Sequence, residues 1–416
     1  MSDVPGGGEP VSDSSPRTWP ARRAAGGARV AAVDCGTNSL RLLIADVDPR
    51  HGTLADVVRR MEIVRLGQGV DATGRLAPEA LARTFRVLQE YATIITDSAV
   101  GAVRMVATSA TRDAVNATEF IRGVTRVLGV PPEVLSGGQE AFLSFTGATA
   151  ELVRAGSGGE RFAPPYLVVD IGGGSTEFVL GRDQAGGAGP DRAGPDRAGP
   201  DRAGPDRAGP DRSGPDRAGP DRAGPDRAGP DHAGPDRAGP DHAGPDRAGP
   251  ADAQAAGPVA ATSVDIGCVR MTERHLHSDP PTATQIAAAV ADIDAAIDRA
   301  AAEVPAQRAR TLVGLAGSVT TVAGVALDLP GYDASRIHHA RIPAGQVHEV
   351  TRMLLGQTHA QRAQIGVMHP GRIDVIGAGA LVLDRILARL GFAEVVVSEH
   401  DILDGIAWSM VDHRAG

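Results

Sequence analysis

Residues 167–180 read LVVDIGGGSTEFVL: an apolar run, an acid, three glycines, two hydroxyls, a second acid and a second apolar run. Both apolar runs are short and rich in β-branched residues, which predicts two strands joined by a tight turn. Glycine weakens a strand, so three in a row mark a place where something approaches the backbone closely. Residues 30–47, VAAVDCGTNSLRLLIADV, carry the same pattern. In each, an apolar strand leads to Asp, one residue, Gly, two residues, Ser and a second apolar strand.

A turn of this kind aims successive backbone N–H groups and hydroxyls at one point, forming an anion nest that glycine lets a phosphate approach. One glycine-rich turn is weak evidence. Two copies, each opening a similar half of the chain, predict facing nests that grip a phosphate chain between them. The rest of the pattern supports an α/β architecture, because strands alternate with helices. Leu81, Phe85, Leu88 and Ala92 fall on one helical face, with Pro78 near its start. Further helices are predicted around NATEFIRGVTRVLG, QEAFLSFTGATAELV and ATQIAAAVADIDAAIDRAAAE, and strands at VRMVATSA and TLVGLAG.

The chain of 416 residues, 42% hydrophobic, is long enough for two domains with buried cores. The expected organisation is a disordered leader over 1–28, one domain over 29–160 and a second over 161–416. The second is interrupted over 184–258 by a repeat of AGPDR with occasional SGPDR and AGPDH. Proline in every repeat removes amide donors and nothing larger than alanine is apolar, so this segment cannot build a core. TEFVLG before it and ATSVDIGCVR after it both read as strands, which makes the repeat an expanded hairpin loop. DIGCVR mimics the nest motif without its later glycines and is expected to serve hairpin packing.

Bulk chemistry narrows the function. No apolar run is long enough to cross a bilayer, so no membrane partner is expected. The formal charge of −9 argues against a general nucleic-acid binder. Two cysteines, Cys35 and Cys268, form no disulfide framework and no metal-ligand spacing, which fits a reducing cytoplasm. No lysine occurs anywhere in the sequence. That excludes a P-loop and Schiff-base chemistry and leaves arginine and backbone amides to hold any anion. Histidines 338, 339 and 348 lack zinc-site spacing.

The motifs resemble the exopolyphosphatase and guanosine pentaphosphate phosphohydrolase family, within the actin-like, sugar-kinase and heat-shock ATPase superfamily. DCGTNSLRLLIADV and DIGGGSTEFVLG are similar to its two phosphate motifs, VATSATRDAVNATEF to its Thr-Ser-Ala and arginine stretch, and EVLSGGQEAFLSFTGA to the segment bearing its catalytic glutamate. GLAGSVTTVAGV, MHPGRIDVIGAGALVLDRIL and VVVSEHDILDGIAW also match. The similarity runs from about residue 29 to 412, broken only by the repeat. The long extra C-terminal helical region of larger members is absent, as in a short two-domain form. The resemblance implies two ribonuclease-H-like domains with an interdomain cleft, and a homodimer.

Residue by residue, the resemblance implies Glu140 as general base; helix-dipole complementarity is the structural alternative. Gln139 stands where relatives often carry a second acid. Asp170 and Glu177 are implied to hold Mg²⁺ or another divalent cation, and Arg41 and Arg112 to act on the phosphates, with structural ion pairing as the alternative. Asp34 is either a phosphate and water organiser or a turn-stabilising residue. Gly36, Thr37, Asn38, Ser39, Gly172, Gly173, Gly174, Ser175 and Thr176 supply the nests. Gly317 and Ser318 open a helix and are placed for a further phosphate. Arg104 and Arg270 are further candidates for the cleft wall. The segment around His400 is charged differently from that of many relatives, which bears on substrate length or specificity.

The implied activity is removal of terminal phosphate from inorganic polyphosphate. The alternatives are 5′-phosphate hydrolysis of guanosine pentaphosphate, and a non-catalytic polyphosphate or alarmone sensor. A sugar or acetate kinase is disfavoured, because neither a sugar-pocket acid nor an adenosine-binding insert is found.

Overall fold

Alternation along the first strand of each half sets the layers. In the computed structural model, which describes residues 27–155, 162–182 and 257–411, strand β1 is Ala28–Cys35. Its Ala31, Val33 and Cys35 face one apolar cluster and Val30 and Ala32 face another, so both faces of the sheet are covered. The expected leader and repeat lie outside the described residues, apart from 27, 28, 257 and 258.

Beside β1 run β2 (Ser39–Asp48), β3 (Thr53–Ile63), β4 (Ala102–Ala107) and β5 (Glu133–Val134), in the order β3-β2-β1-β4-β5. β1 is antiparallel to β2 and parallel to β4. The second sheet contains β6 (Tyr166–Ile171), β7 (Thr176–Arg182), β8 (Gly257–Val264), β9 (Thr311–Leu315), β10 (Arg341–Pro343) and β11 (Glu394–Val397). Its order is β10-β11-β9-β6-β7-β8. Here β6 is antiparallel to β7 and parallel to β9, so the two sheets share one construction. The fold is therefore α/β with two mixed sheets, and each of the twin sequence motifs is the first hairpin of its sheet. β7 and β8 pair in antiparallel register, with Glu177 opposite Ser263, so the long connection does join neighbouring strands.

The expected helices fill the outer layers. Pro78–Asp97 buries Leu81, Leu88 and Ala92, and its Phe85 stacks on Phe120 of helix Ala117–Leu128. Ala283–Glu303 starts with a reciprocal cap between Thr282 and Gln285 and buries Ile293 and Ile297 against the second sheet. Two helices occupy the inner layers. Ala141, Phe145, Ala148 and Leu152 of helix Gly137–Ala155 pack on the second sheet, and Ile402, Leu403 and Ile406 of helix Ile402–Ser409 pack on the first. The two cross at glycines. A Cβ on Gly147 would lie 1.9 Å from the Asp401 carbonyl oxygen, and one on Gly405 would lie 2.0 Å from that of Leu143.

DIGCVR departs from expectation. It opens a helix, Cys268–His275, whose first amides turn back onto the triple-glycine turn. Gly267, Cys268 and Val269 donate to the carbonyls of Gly174, Gly172 and Gly173 at 2.9–3.1 Å. The segment is thus the buttress of the second nest, which its lack of glycines concealed.

Candidate active site

Both hairpin turns close in the same way: Gly36 N–H donates to the Ser39 carbonyl at 3.0 Å, and Gly172 N–H to that of Ser175 at 3.1 Å. The glycine run is there for space and not for unusual dihedrals, since 172–174 all keep ordinary φ. A Cβ on Gly173 would sit 2.9 Å from Thr37 Cβ, and one on Gly174 would sit 2.5 Å from Ser109 Oγ. The two nests therefore meet face to face, with Thr37 and Ser109 sharing a 2.8 Å hydrogen bond in the seam.

One cleft brings together Asp34, Gly36, Thr37, Asn38, Ser39, Arg41, Glu140, Asp170, Gly172, Gly173, Ser175, Gly317 and Ser318. Its free volume is about 80 Å³, and it adjoins a cavity of about 480 Å³ across Arg41, Ala316, Gly317 and Arg372. Four of the expected site residues stand one layer back. Arg112 donates to the Leu135 carbonyl at 2.9 Å and to Glu140 at 3.4 Å, so it orients the glutamate. Glu177 is fully buried and accepts from Ser263 at 2.8 Å. Thr176 donates to the Ile266 carbonyl, and Gly174 packs in the seam. Arg104 and Arg270 do not line this cleft. Arg104 pairs with Glu133, and Arg270 with Asp71 and Asp113 at 3.0 and 2.6 Å. Strand and helix patterns could not reveal those partners, which lie far away in sequence.

Register places the key charges. Asp34 faces Arg41 across β1 and β2, and Asp170 faces Glu177 across β6 and β7, so one position of the repeated motif holds a cation in the first copy and an acid in the second. Glu140 lies in the first turn of its helix, buried to 8% exposure. Burial, then the charges of Glu177, Asp170 and Asp34, push its carboxyl well above the usual range. Burial lifts Asp170 to about 6, against a 2.7 Å hydrogen bond from Ser144. Burial and the Asp170 charge lift Glu177 to about 8. Gln139 caps its own helix instead of entering the cleft: Ser136 N–H donates to its side-chain oxygen at 2.9 Å.

Three wall residues lie in stretches that match the family but were given no place in the site from sequence. Thr108 and Ser109 follow β4 just as Ala316, Gly317 and Ser318 follow β9, on the far side of the matching nest. Arg372 is the third. Its guanidinium lies over Gly317, where a Cβ would come within 2.2 Å of it, and donates to Thr321 at 3.3 Å. Among the described residues it forms no salt bridge, and burial lowers its pKa. Ala316 beside it takes φ +69°, a left-handed conformation alanine rarely adopts, at the start of helix Ala316–Ala326.

The carboxylates also fit a divalent cation. Among the described residues Asp34 Oδ1 is buried without a hydrogen-bond partner, and two further acids whose pKa is raised, Glu140 and Asp170, line the same cleft. Among the described residues no three ligating side chains form a cage. Mg²⁺ does not need one, because it commonly takes one or two carboxylates and completes its shell with water and substrate phosphates.

Two glycine nests, a helix N-terminus and an arginine with no carboxylate partner among the described residues make an anion-binding cleft inside a two-sheet α/β fold. The chain belongs to the Ppx/GppA phosphatase family, whose sequence profile matches residues 43–188 and 253–414. It is 42% identical over 393 residues to exopolyphosphatase 2 of Mycobacterium tuberculosis (strain CDC 1551 / Oshkosh), covering 92% of this chain and 98% of that protein. The crystal structure of an exopolyphosphatase-like protein superposes with a TM-score of 0.70 at 37% identity, over 91% of this chain and 97% of that one. The Aquifex aeolicus PPX-GPPA enzyme, 24% identical over 92% of this chain and 99% of its own, shares the fold with a TM-score of 0.62.

Proposed function

We propose that the protein is an exopolyphosphatase that removes the terminal phosphate of inorganic polyphosphate. The observation that carries this reading is the position of Glu140, a buried carboxylate steadied by Arg112 at the cleft where the two nests meet. The end of a polyphosphate chain enters that cleft, its oxygens taken by the nest amides, by the N-terminus of helix Ala316–Ala326 and by Arg372. Glu140 orients a water and accepts its proton as the water attacks the terminal phosphorus; the bridging oxygen leaves with the shortened chain. Asp170 and Asp34 would hold Mg²⁺, which when bound would offset the charge on the phosphate oxygens. Glu177, one layer back, acts through Asp170 and Glu140.

A second reading has its own support. The adjoining cavity of about 480 Å³ is lined partly by Tyr332, Val367 and Met368, an apolar surface that a bare phosphate chain does not use and that suits the base of guanosine pentaphosphate. Turnover measured side by side on long polyphosphate, short polyphosphate and guanosine pentaphosphate separates the two. Glu140→Gln tests the catalytic role: the rate is expected to fall by about 10² or more with substrate binding kept. An unchanged rate moves the base elsewhere or makes the protein a binder.

A further inference from the structure

All three guanidinium nitrogens of Arg41 are already engaged by carboxylates of this chain. Nε and Nη2 donate to Asp34 Oδ2 at 2.9 and 2.6 Å, and Nη1 donates to Asp401 Oδ2. The two acids differ in kind. Asp34 faces Arg41 across a strand pair, so that contact is built into the hairpin. Asp401 arrives from far along the chain, as the N-cap of helix Ile402–Ser409, and lines the larger cavity together with Arg59, Arg60 and Arg372. Two carboxylates on one cation leave an excess of negative charge where the proposed substrate needs a positive one.

We propose that Asp401 is an intramolecular competitor for phosphate at Arg41, a specificity-determining residue that must yield this guanidinium edge before a phosphate can use it. The proposal rests on the cleft taking phosphates, as argued above. Asp401 keeps its place as helix cap while this one contact yields, because its N–H donates to Asp404 at 2.9 Å and Leu403 N–H holds its other oxygen, Oδ1, at 2.9 Å, so that only Oδ2 has to leave Arg41. A lone orthophosphate must displace Asp401 for little return. A chain of phosphates also engages Arg372 and the nests, and so outcompetes it. The carboxylate therefore favours polymer over product and lets the released orthophosphate leave.

The test is Asp401→Asn, which removes the charge and keeps a good helix cap. Asp401→Ser is the second variant, since it also caps but offers Arg41 no planar acceptor. Orthophosphate binding to the full-length protein, measured by calorimetry, is expected to tighten about tenfold in both. The KM for polyphosphate falls by less than the orthophosphate affinity rises, with no rise in kcat. Orthophosphate affinity that stays the same or weakens in both variants overturns the proposal and makes Asp401 a residue that only orients Arg41. Failure of the wild-type protein to hydrolyse polyphosphate would sink the functional reading and still leave the calorimetry to decide on Asp401.

Discussion

At the scale of the residue, the most informative side chain is Arg372. A buried guanidinium is stable only when its charge is answered, and this one donates to a threonine hydroxyl with no carboxylate within salt-bridge distance among the described residues. Removing it should cost ligand binding and not fold stability. Arg372→Ala is expected to raise the KM for polyphosphate by about 10- to 100-fold, the loss of one charge-assisted hydrogen bond, with no drop in melting temperature. A lower melting temperature with unchanged KM would make the arginine structural. Nothing in MHPGRIDVIG marks this arginine out, because its significance comes from lying over Gly317, some 55 residues earlier. Arg41, Glu140 and Asp170 were legible because the repeated turn motif or the family pattern fixes their place beside a strand end or helix start. The recruitment of Asp401 to Arg41 was not, since no local spacing encodes a contact between the two ends of the chain.

At the scale of the element, the crossing of helices Gly137–Ala155 and Ile402–Ser409 is set by backbone contact. Gly405→Ala would press a methyl onto the Leu143 carbonyl, and the helices cannot part without disturbing the turn that carries Asp401. A loss of about 1–3 kcal/mol is expected in chemical denaturation. Gly345 is the control: it lies in helix Ala344–Gly356 with nothing within 4 Å of its missing Cβ, so alanine there should add about 0.4–1 kcal/mol. The first turn of the last helix also sets a pH dependence. Burial works against the charge on Asp404, but hydrogen bonds with His400 at 2.8 Å and Arg59 at 2.7 Å prevail and hold its pKa at about 2. A carboxyl depressed from 3.8 to about 2 contributes roughly 2–3 kcal/mol at neutral pH, and about half of that remains at pH 3. The stability gap between wild type and Asp404→Asn should therefore shrink as pH falls from 5 to 2. A gap that stays constant over that range would show that the ionised carboxylate is not what the helix start depends on.

At the scale of the whole molecule, the twin motifs made the two-sheet plan readable, because apolar alternation and a repeated turn are local signals that survive in any α/β sheet. The inner layers were less readable: helices 137–155 and 402–409 are apolar on much of their surface, so periodicity does not say which sheet each one covers. The hairpin joining β7 to β8 was legible from the strands flanking the repeat, and its register gives the last prediction. Pairing runs from Thr176 opposite Val264 to Arg182 opposite Gly257, with one bulge between Leu180 and Gly181, so the strands stay paired up to the point where the long connection begins. A connection of nine residues, left when 188–252 is excised, closes the same hairpin. Shortening it about eightfold removes three doublings of loop length, a gain of about 2 kcal/mol in closure entropy. The shortened protein is expected to be more stable in denaturant titration and to keep its turnover, because Ser263 on β8 still meets Glu177 on β7. A variant that folds, shown by an unchanged far-ultraviolet circular dichroism spectrum, yet has lost turnover would tie the repeat to the chemistry in a way that the hairpin alone does not explain.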